Sequence, residues 1–178
     1  FFYHLMQQLS LSDWKQWAEK FGFGSITGVD LYGEQAGNVP GKSYLNKKYG
    51  RFGWAAGNLL TFIIGQGDVL VTPIQVVQMM NIIATRGNTR SPHFNLDDTS
   101  EKMTLSLKSS TWDYLQNATW EVVNHENGTG KAVRINGATV HGKTGTAQNP
   151  HGEDHSWFAG YLVKDGRPVL SLVVLVEH

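Results

Sequence analysis

The sequence predicts an α+β fold in which helices pack on an antiparallel sheet. Apolar residues before position 137 follow helical spacing and are separated by loops, whereas residues 138–178 alternate as strands do. A turn signal over residues 164–167 joins the last two strands as a hairpin. Helices followed by an antiparallel meander are typical of this class. We therefore expect one domain over residues 1–178, with mainly helices and loops up to 137 and three strands after it.

The N-terminal part predicts short helices separated by loops. In residues 1–21, apolar residues with helical spacing predict two helical pieces, and Ser12 is the expected N-cap of the second. Gly22 and Gly24 follow where this spacing stops, as at a helix C-terminus. Residues 25–58 are rich in Gly, which predicts loops.

Two longer helices are expected before the sheet. Thr72-Pro73 supplies a cap and a proline at the first position of a helix that is apolar nearly all round and stops at Gly87. Residues 88–109 are polar and predict a surface segment, and residues 110–125 predict the second helix. The predicted strands cover residues 138–148, 156–163 and 169–176.

Composition limits the possible functions. The chain has 178 residues, 15 basic and 15 acidic residues and no Cys. The balanced charge argues against nucleic acid or an anionic membrane as the main partner, and the lack of Cys excludes disulfides and thiolate metal sites. Neither a signal peptide nor an apolar run of about 18–20 residues is visible. Because both ends look cut, we expect a piece of a longer protein.

The segment from His141 to Gln148 contains the residues most informative about chemistry. Lys143 supplies a positive charge, and Thr144 and Thr146 supply hydroxyl donors. Gly142 and Gly145 lack side chains, which allows a ligand backbone to approach the chain closely. Together these groups are suited to binding a carboxylate and stabilising an oxyanion. No convincing nucleophile accompanies them.

This segment is expected to form one edge of the sheet. Alternation along a strand places Lys143 and Gly145 on one face and Thr144 and Thr146 on the other. Side chains from both faces can reach one ligand only if the ligand lies along the strand edge. We expect Gly142 or Gly145 to bend the strand at that point.

The same residues also satisfy a nucleotide-binding pattern. Residues 137–144 match the P-loop expression G-x-x-x-x-G-K-[ST]. A P-loop requires a helix that starts at the Lys-Thr pair, and Gly145 and Pro150 disfavour such a helix. An extended segment from Lys143 to Gln148 would exclude this alternative.

Three other matches favour structural interpretations. Ser12-Asp-Trp-Lys15 satisfies S-x-x-K, but it is typical of a helix cap before an amphipathic run. Tyr44-Leu-Asn46 satisfies Y-x-N, but the surrounding Gly and Lys residues predict a solvated loop. His151 and His155 have the i,i+4 spacing of zinc ligands, which requires a helix that Pro150 opposes. We expect no metal there, but a polar loop beside the substrate groove.

Five blocks of the sequence follow one another in an order that is specific as a set. They are Phe21–Gly24; Gly28–Leu31 with Gly33-Glu34; Gly65–Gly67 with Thr72–Gln75; Lys143–Gln148; and His155–Phe158. In these blocks the chain resembles the C-terminal half of the transpeptidase domain of class B penicillin-binding proteins. The resemblance implies a fragment of the penicillin-binding and serine β-lactamase-like fold. Gln148, after Lys-Thr-Gly-Thr-Ala, is typical of the elongation type rather than the division type.

The resemblance implies a serine D,D-transpeptidase that cross-links peptidoglycan stem peptides and is acylated by β-lactams. Of the family motifs S-x-x-K, S-x-N and K-T-G, only the third is present. Lys143 would then hold the hydrogen-bond network around the nucleophile, and the hydroxyls of Thr144 and Thr146 would bind the terminal carboxylate of D-Ala-D-Ala. The Thr146 amide would be an oxyanion-hole donor. Gly145 and Gln148 complete the expected substrate-binding set.

Partners and location also follow from the resemblance. It implies stem peptides ending in D-Ala-D-Ala as substrates, β-lactams as inhibitors, and a glycosyltransferase and cell-elongation proteins as partners. An upstream anchor would hold the parent in the bacterial cell membrane, with this domain on the periplasmic or extracellular side. Acyl transfer of this kind implies no cofactor. A second interpretation is a non-catalytic sensor or scaffold that binds wall peptides with the same residues.

Overall fold

The computed structural model describes residues 4–5, 8–95, 100–149 and 151–178. The described residues form two compact units, the first drawn from Phe1–Ile26 and Gly33–Thr72 and the second from Thr27–Tyr32 and Pro73–His178. The predicted single domain over the whole chain stays a prediction. No helix within the described ranges has the length and apolar character needed to cross a membrane.

The first unit begins with helix α1, Leu11–Lys20. Ser10, not Ser12, is its N-cap, because the Ser10 hydroxyl accepts a hydrogen bond from the Asp13 backbone N–H at 3.0 Å. The predicted cap at Ser12 was therefore wrong by two residues, and Ser12 lies in the first turn. Gly22 has a φ of 93° just beyond the helix, as the C-terminal signal predicted.

Two helices of the first unit overlap the segment that was predicted to be loops, the first of them wholly and the second only in its first three residues. They are α2, Lys42–Tyr49, and α3, Ala56–Phe62. The loop prediction was wrong for α2 because Leu45 is fully buried, and this burial outweighs the Gly and Lys residues around it. Tyr44 and Asn46 therefore lie on a helix.

The Gly65–Gly67 turn of the first unit needs glycine at both ends. Gly65 and Gly67 have φ values of 72° and 73°, in the left-handed region. A Cβ atom on Gly67 would lie 2.9 Å from Thr61 Oγ1, and the Gln66 N–H donates to the Thr61 carbonyl at 2.9 Å. The Gly65–Gly67 turn is therefore tightly packed against Thr61.

In the second unit, two helices pack on the sheet. They are α4, Pro73–Ala84, and α5, Ser109–Asn124, and both match the predicted segments. Between them lie two short antiparallel strands, β1 (Asn88–Arg90) and β2 (Lys102–Thr104). The sequence did not predict β1 and β2, because their three residues each carry too few apolar side chains to show alternation.

The main sheet contains the three predicted strands, β3 (Thr139–Ala147), β4 (His155–Lys164) and β5 (Arg167–Val176). They are antiparallel in the order β3-β4-β5. Asp165 and Gly166 join β4 to β5 with φ values of 51° and 73°, as in a type I′ hairpin turn. Helix α5 packs against β3, whereas α4 packs against β4 and β5. The predicted α+β class is confirmed.

A carboxylate of the second unit holds a distant loop in place. Asp30 accepts hydrogen bonds from the backbone N–H groups of Phe94 at 2.6 Å and Asn95 at 2.7 Å. These two hydrogen bonds, that from Phe94 having the larger effect, hold the pKa of the Asp30 carboxyl below its usual value of 3.8. A group with a lowered folded-state pKa stabilises the fold above its unfolded pKa, and the stabilisation is lost as the pH falls through the folded value.

We therefore expect Asp30→Asn to lower the denaturation midpoint at pH 7. The difference from wild type should shrink as the pH falls below about 4, because the wild-type carboxyl then becomes protonated. Denaturant titrations at pH 7 and at low pH would measure it. Glu101→Gln, at an exposed carboxylate, is the control and should shift neither midpoint. An Asp30→Asn deficit that is the same at both pH values would contradict the assignment.

Candidate functional site

The K-T-G segment lies on an edge strand. β3 pairs with β4 from Thr139 opposite Val163 to Ala147 opposite His155 without a register shift. Within the described residues no strand pairs with the other side of β3, so the predicted edge position is confirmed. The bend predicted at Gly142 or Gly145 is not present as a bulge, since both residues pair with β4 in an unbroken register. Since β3 is extended where a P-loop needs a helix, the nucleotide-binding alternative is rejected.

The two glycines of this strand have different environments. A Cβ atom on Gly142 would lie 2.4 Å from Phe158 Cζ, and one on Gly160 would lie 3.0 Å from Phe158 Cε1. The Phe158 ring thus packs over Gly142 on β3 and Gly160 on β4. Gly142 therefore makes room for this ring rather than for a ligand. Beside Gly145 the nearest atom to a Cβ would be Trp157 Cβ at 3.3 Å, so the space there is largely open.

Four of the predicted site residues present polar groups along the exposed end of β3. The exposed Lys143 donates from Nζ to the Thr144 carbonyl at 2.6 Å. Thr144 is half-buried, whereas Thr146 is exposed. Gln148, also exposed, directly follows the strand. This arrangement offers a charge, hydroxyl groups and an edge strand to one ligand.

The structure adds one residue that the sequence did not predict. Thr129 Oγ1 lies 2.9 Å from Thr144 Oγ1. Thr129 is brought there by a tight turn after α5, in which Gly130 N–H donates to the Val122 carbonyl at 2.8 Å. A Cβ atom on Gly128 would lie 2.4 Å from the same carbonyl oxygen, so the turn requires glycine there. Asn127-Gly128 marks the end of the helix in the sequence, but no local signal indicates that Thr129 contacts Thr144.

The other pattern matches are engaged in structural contacts. Lys15 donates to Glu19 Oε1 at 2.6 Å and to the Val39 carbonyl at 3.2 Å. Asn46 Oδ1 accepts from Trp54 Nε1 at 2.8 Å. His155 opens β4, where its Nδ1 accepts from the His178 backbone N–H at 3.2 Å. Over the described ranges, no group of three His, Asp or Glu side chains could hold a metal ion.

An edge strand bearing K-T-G on a helix-backed antiparallel sheet is the arrangement expected of a penicillin-binding transpeptidase. The family model "Penicillin binding protein transpeptidase domain" matches residues 1–178. The chain belongs to this family.

Within the family, the chain is similar to penicillin-binding protein 2. It is 30% identical to the Haemophilus influenzae peptidoglycan D,D-transpeptidase MrdA, in an alignment that covers 100% of the chain and 31% of that protein. The structure of PBP2 from Helicobacter pylori superposes with a TM-score of 0.88 at 33% identity, covering 99% of the chain and 33% of PBP2. The structure of Pseudomonas aeruginosa PBP2 in complex with WCK 5153 superposes with a TM-score of 0.85 at 29% identity, covering 99% of the chain and 40% of that protein.

These comparisons confirm the predicted elongation type and the predicted fold. The chain spans about a third (31%) of the length of the Haemophilus influenzae relative.

Proposed function

We propose that the chain supplies the K-T-G edge of a peptidoglycan D,D-transpeptidase whose nucleophilic serine lies upstream. The observation that carries this proposal is the edge strand with Lys143, Thr144 and Thr146, in a member of the transpeptidase family. Several relatives bear the name peptidoglycan D,D-transpeptidase.

In the proposed reaction, the serine oxygen attacks the carbonyl carbon of the penultimate D-Ala. The peptide bond to the terminal D-Ala breaks, the serine proton passes to the leaving nitrogen so that D-Ala departs with a free amine, and an ester forms on the serine. An amine of a neighbouring stem peptide then attacks the ester, forms the cross-link and releases the serine with its proton. The same serine opens a β-lactam ring and stays acylated.

The residues of β3, and Gln148 directly after it, have several roles in this reaction. We assign the Thr146 N–H as one oxyanion donor. The hydroxyls of Thr144 and Thr146 bind the terminal carboxylate, and each such bond to a charged group contributes about 1.5–3 kcal/mol. Lys143 raises the positive potential at the site, and Gly145 leaves room for the ligand backbone. Gln148 lines the end of the groove.

Intact mass after incubation with excess benzylpenicillin tests this proposal. We expect an adduct on a protein extended upstream through S-x-x-K, and none on the 178-residue chain. Ser12→Ala in the extended protein is the control and should retain the adduct. An adduct on the short chain would place the nucleophile within it, and the absence of any adduct would refute penicillin binding. An adduct without transfer of a stem peptide to an amine would identify the sensor instead.

We also propose that the parent protein acts with the cell-elongation machinery at the membrane. The support is similarity to the Helicobacter pylori PBP2 that was solved in a complex with MreC. The parent would carry an upstream anchor, face the periplasm or the outer surface, and work with a glycosyltransferase. Co-purification of the tagged full-length protein with the MreC of the same cell would test it, with a β3 variant such as Lys143→Ala as a control that should still bind.

Thr129→Val tests the hydroxyl pair beside the proposed carboxylate site. Without the Thr129 partner, the Thr144 hydroxyl is no longer held, so non-covalent binding of benzylpenicillin should weaken by roughly 2- to 10-fold. The acylation rate constant of the bound complex should change less. Stopped-flow kinetics of the upstream-extended protein separates the two constants.

Thr111→Val, at an exposed position of α5, is the control for this variant. The methyl ester of the penicillin should bind wild type and Thr129→Val alike, because it lacks the carboxylate. Equal losses with acid and ester would show that Thr129 does not act through carboxylate binding.

A further inference from the structure

His141 lies two residues before Lys143 and connects β3 to the rest of the second unit. Its ring stacks on the ring of Tyr161, directly opposite on β4, with centroids 4.7 Å apart and planes 20° apart. Its Nδ1 lies 3.0 Å from the backbone carbonyl oxygen of Gln116 on α5. Tyr161 is only 1% exposed, so it provides a fixed surface under the imidazole.

The hydrogen-bond partners determine where the imidazole proton lies. The Gln116 carbonyl can only accept, so Nδ1 must carry the proton. Tyr161 Oη, 3.1 Å from the same Nδ1, is a second acceptor. Its own proton goes to Thr119 Oγ1 at 3.3 Å, and Thr119 in turn donates to the carbonyl of Gln116 at 3.0 Å or of Leu115 at 3.1 Å. Every donor in this network is satisfied when Nδ1 is protonated.

The surroundings favour the neutral imidazole. Burial lowers the pKa of His141 below its usual value of 6.5, and the Gln116 bond opposes this only in part. On β3 the nearest charged residue on the same face is Lys143, whose Nζ donates to the Thr144 carbonyl. On α5, Asp113 lines the same open groove as His141, but its carboxylate is paired with Arg86 at 2.8 Å. The β4 neighbour is the uncharged Tyr161.

Beyond the packing of α5 on β3, side-chain hydrogen bonds join the two elements at and beside His141. Asn124 Nδ2 donates to the Val140 carbonyl at 2.8 Å, one residue before His141. Downstream, among the contacts described here, Thr144 is reached by Thr129 from the turn after α5. Within the described residues only one side of β3 pairs with a strand, so these polar contacts, together with the packing of α5, hold β3 on the helix layer. Lys143 stands directly after His141 and Gly142.

We propose that His141, as the neutral Nδ1–H tautomer, is a positioning residue for acyl transfer. Its bond to the Gln116 carbonyl sets the position of β3 on α5, and thereby the positions of Lys143 and of the Thr146 amide. Displacement by about 1 Å of such groups can cost about 100-fold in rate. This inference rests on the proposed transpeptidase function.

The test compares His141→Asn with His141→Gln in the upstream-extended protein. Asn places an amide N–H near the position of Nδ1, whereas Gln places it near Nε2, and both lose the ring stack. We expect Asn to keep the acylation rate constant for benzylpenicillin within about threefold of wild type, and Gln to lower it by about tenfold or more. Melting temperatures of the two variants should agree. The backbone amides of β3 should exchange hydrogen faster in the His141→Gln protein than in the His141→Asn protein.

The outcomes separate the inference from the function on which it rests. If His141→Asn and His141→Gln have equal acylation rate constants, positioning through Nδ1 is refuted. This holds whether both rate constants are normal or both fall together with the melting temperature. A wild-type extended protein that is not labelled by penicillin would refute the proposed function, and this inference with it. A labelled wild type with rescue by Asn alone would establish His141 as a positioning residue.

Discussion

Lys143→Ala should lower the acylation rate of the upstream-extended protein by at least about tenfold. The exposed Nζ donates within the strand to the Thr144 carbonyl, so its loss removes charge and one local contact while the β3–β4 pairing stays intact. We therefore expect the loss in the acylation rate constant, with the melting temperature nearly unchanged. Time-resolved intact mass with benzylpenicillin would measure the rate.

Lys164→Ala is the matched control for this variant. Lys164 is also an exposed lysine of the sheet, but it lies at the end of β4 beside the hairpin turn. Its removal changes the net charge equally and should leave acylation unchanged. If Lys143→Ala and Lys164→Ala react at the same rate, the role assigned to Lys143 is wrong.

Gly145→Val should reduce acylation still further, by at least about 100-fold. A Cβ atom at this position meets only Trp157 Cβ, at 3.3 Å, so the fold can accept it with a small shift. The branched methyl groups would fill the open space beside the strand edge, where the ligand backbone is proposed to lie. We expect lost acylation together with a modest change in melting temperature.

Gly142→Ala is the contrasting variant on the same strand. Its Cβ would collide with Phe158 Cζ at 2.4 Å and with the Ala159 carbonyl oxygen at 2.9 Å. This substitution should therefore lower the melting temperature more than Gly145→Val does, because it displaces a packed ring. Normal labelling of Gly145→Val would show that this edge of β3 is not the ligand surface.

Local patterns in the sequence were sufficient for much of the second unit. The strands β3, β4 and β5 were predictable because alternation and the Asp165-Gly166 turn are written over adjacent residues. Helix α4 was equally readable from Thr72-Pro73 at its start and Gly87 after its end. The same kind of reading failed at α2, where the burial of Leu45 outweighs a loop-like composition.

The sequence by itself determined the K-T-G strand and its polar residues, because these depend on residues close together in the chain. It also determined the family, because the order of several short blocks along the chain can be read without a structure. Only the tertiary structure decided which distant groups support that strand. Thr129 meets Thr144 across 15 positions, and His141 meets the Gln116 carbonyl across 25. Likewise, Gly142 accommodates Phe158 on a neighbouring strand. Contacts of this kind form only when the helix and the sheet pack together, so no local periodicity encodes them.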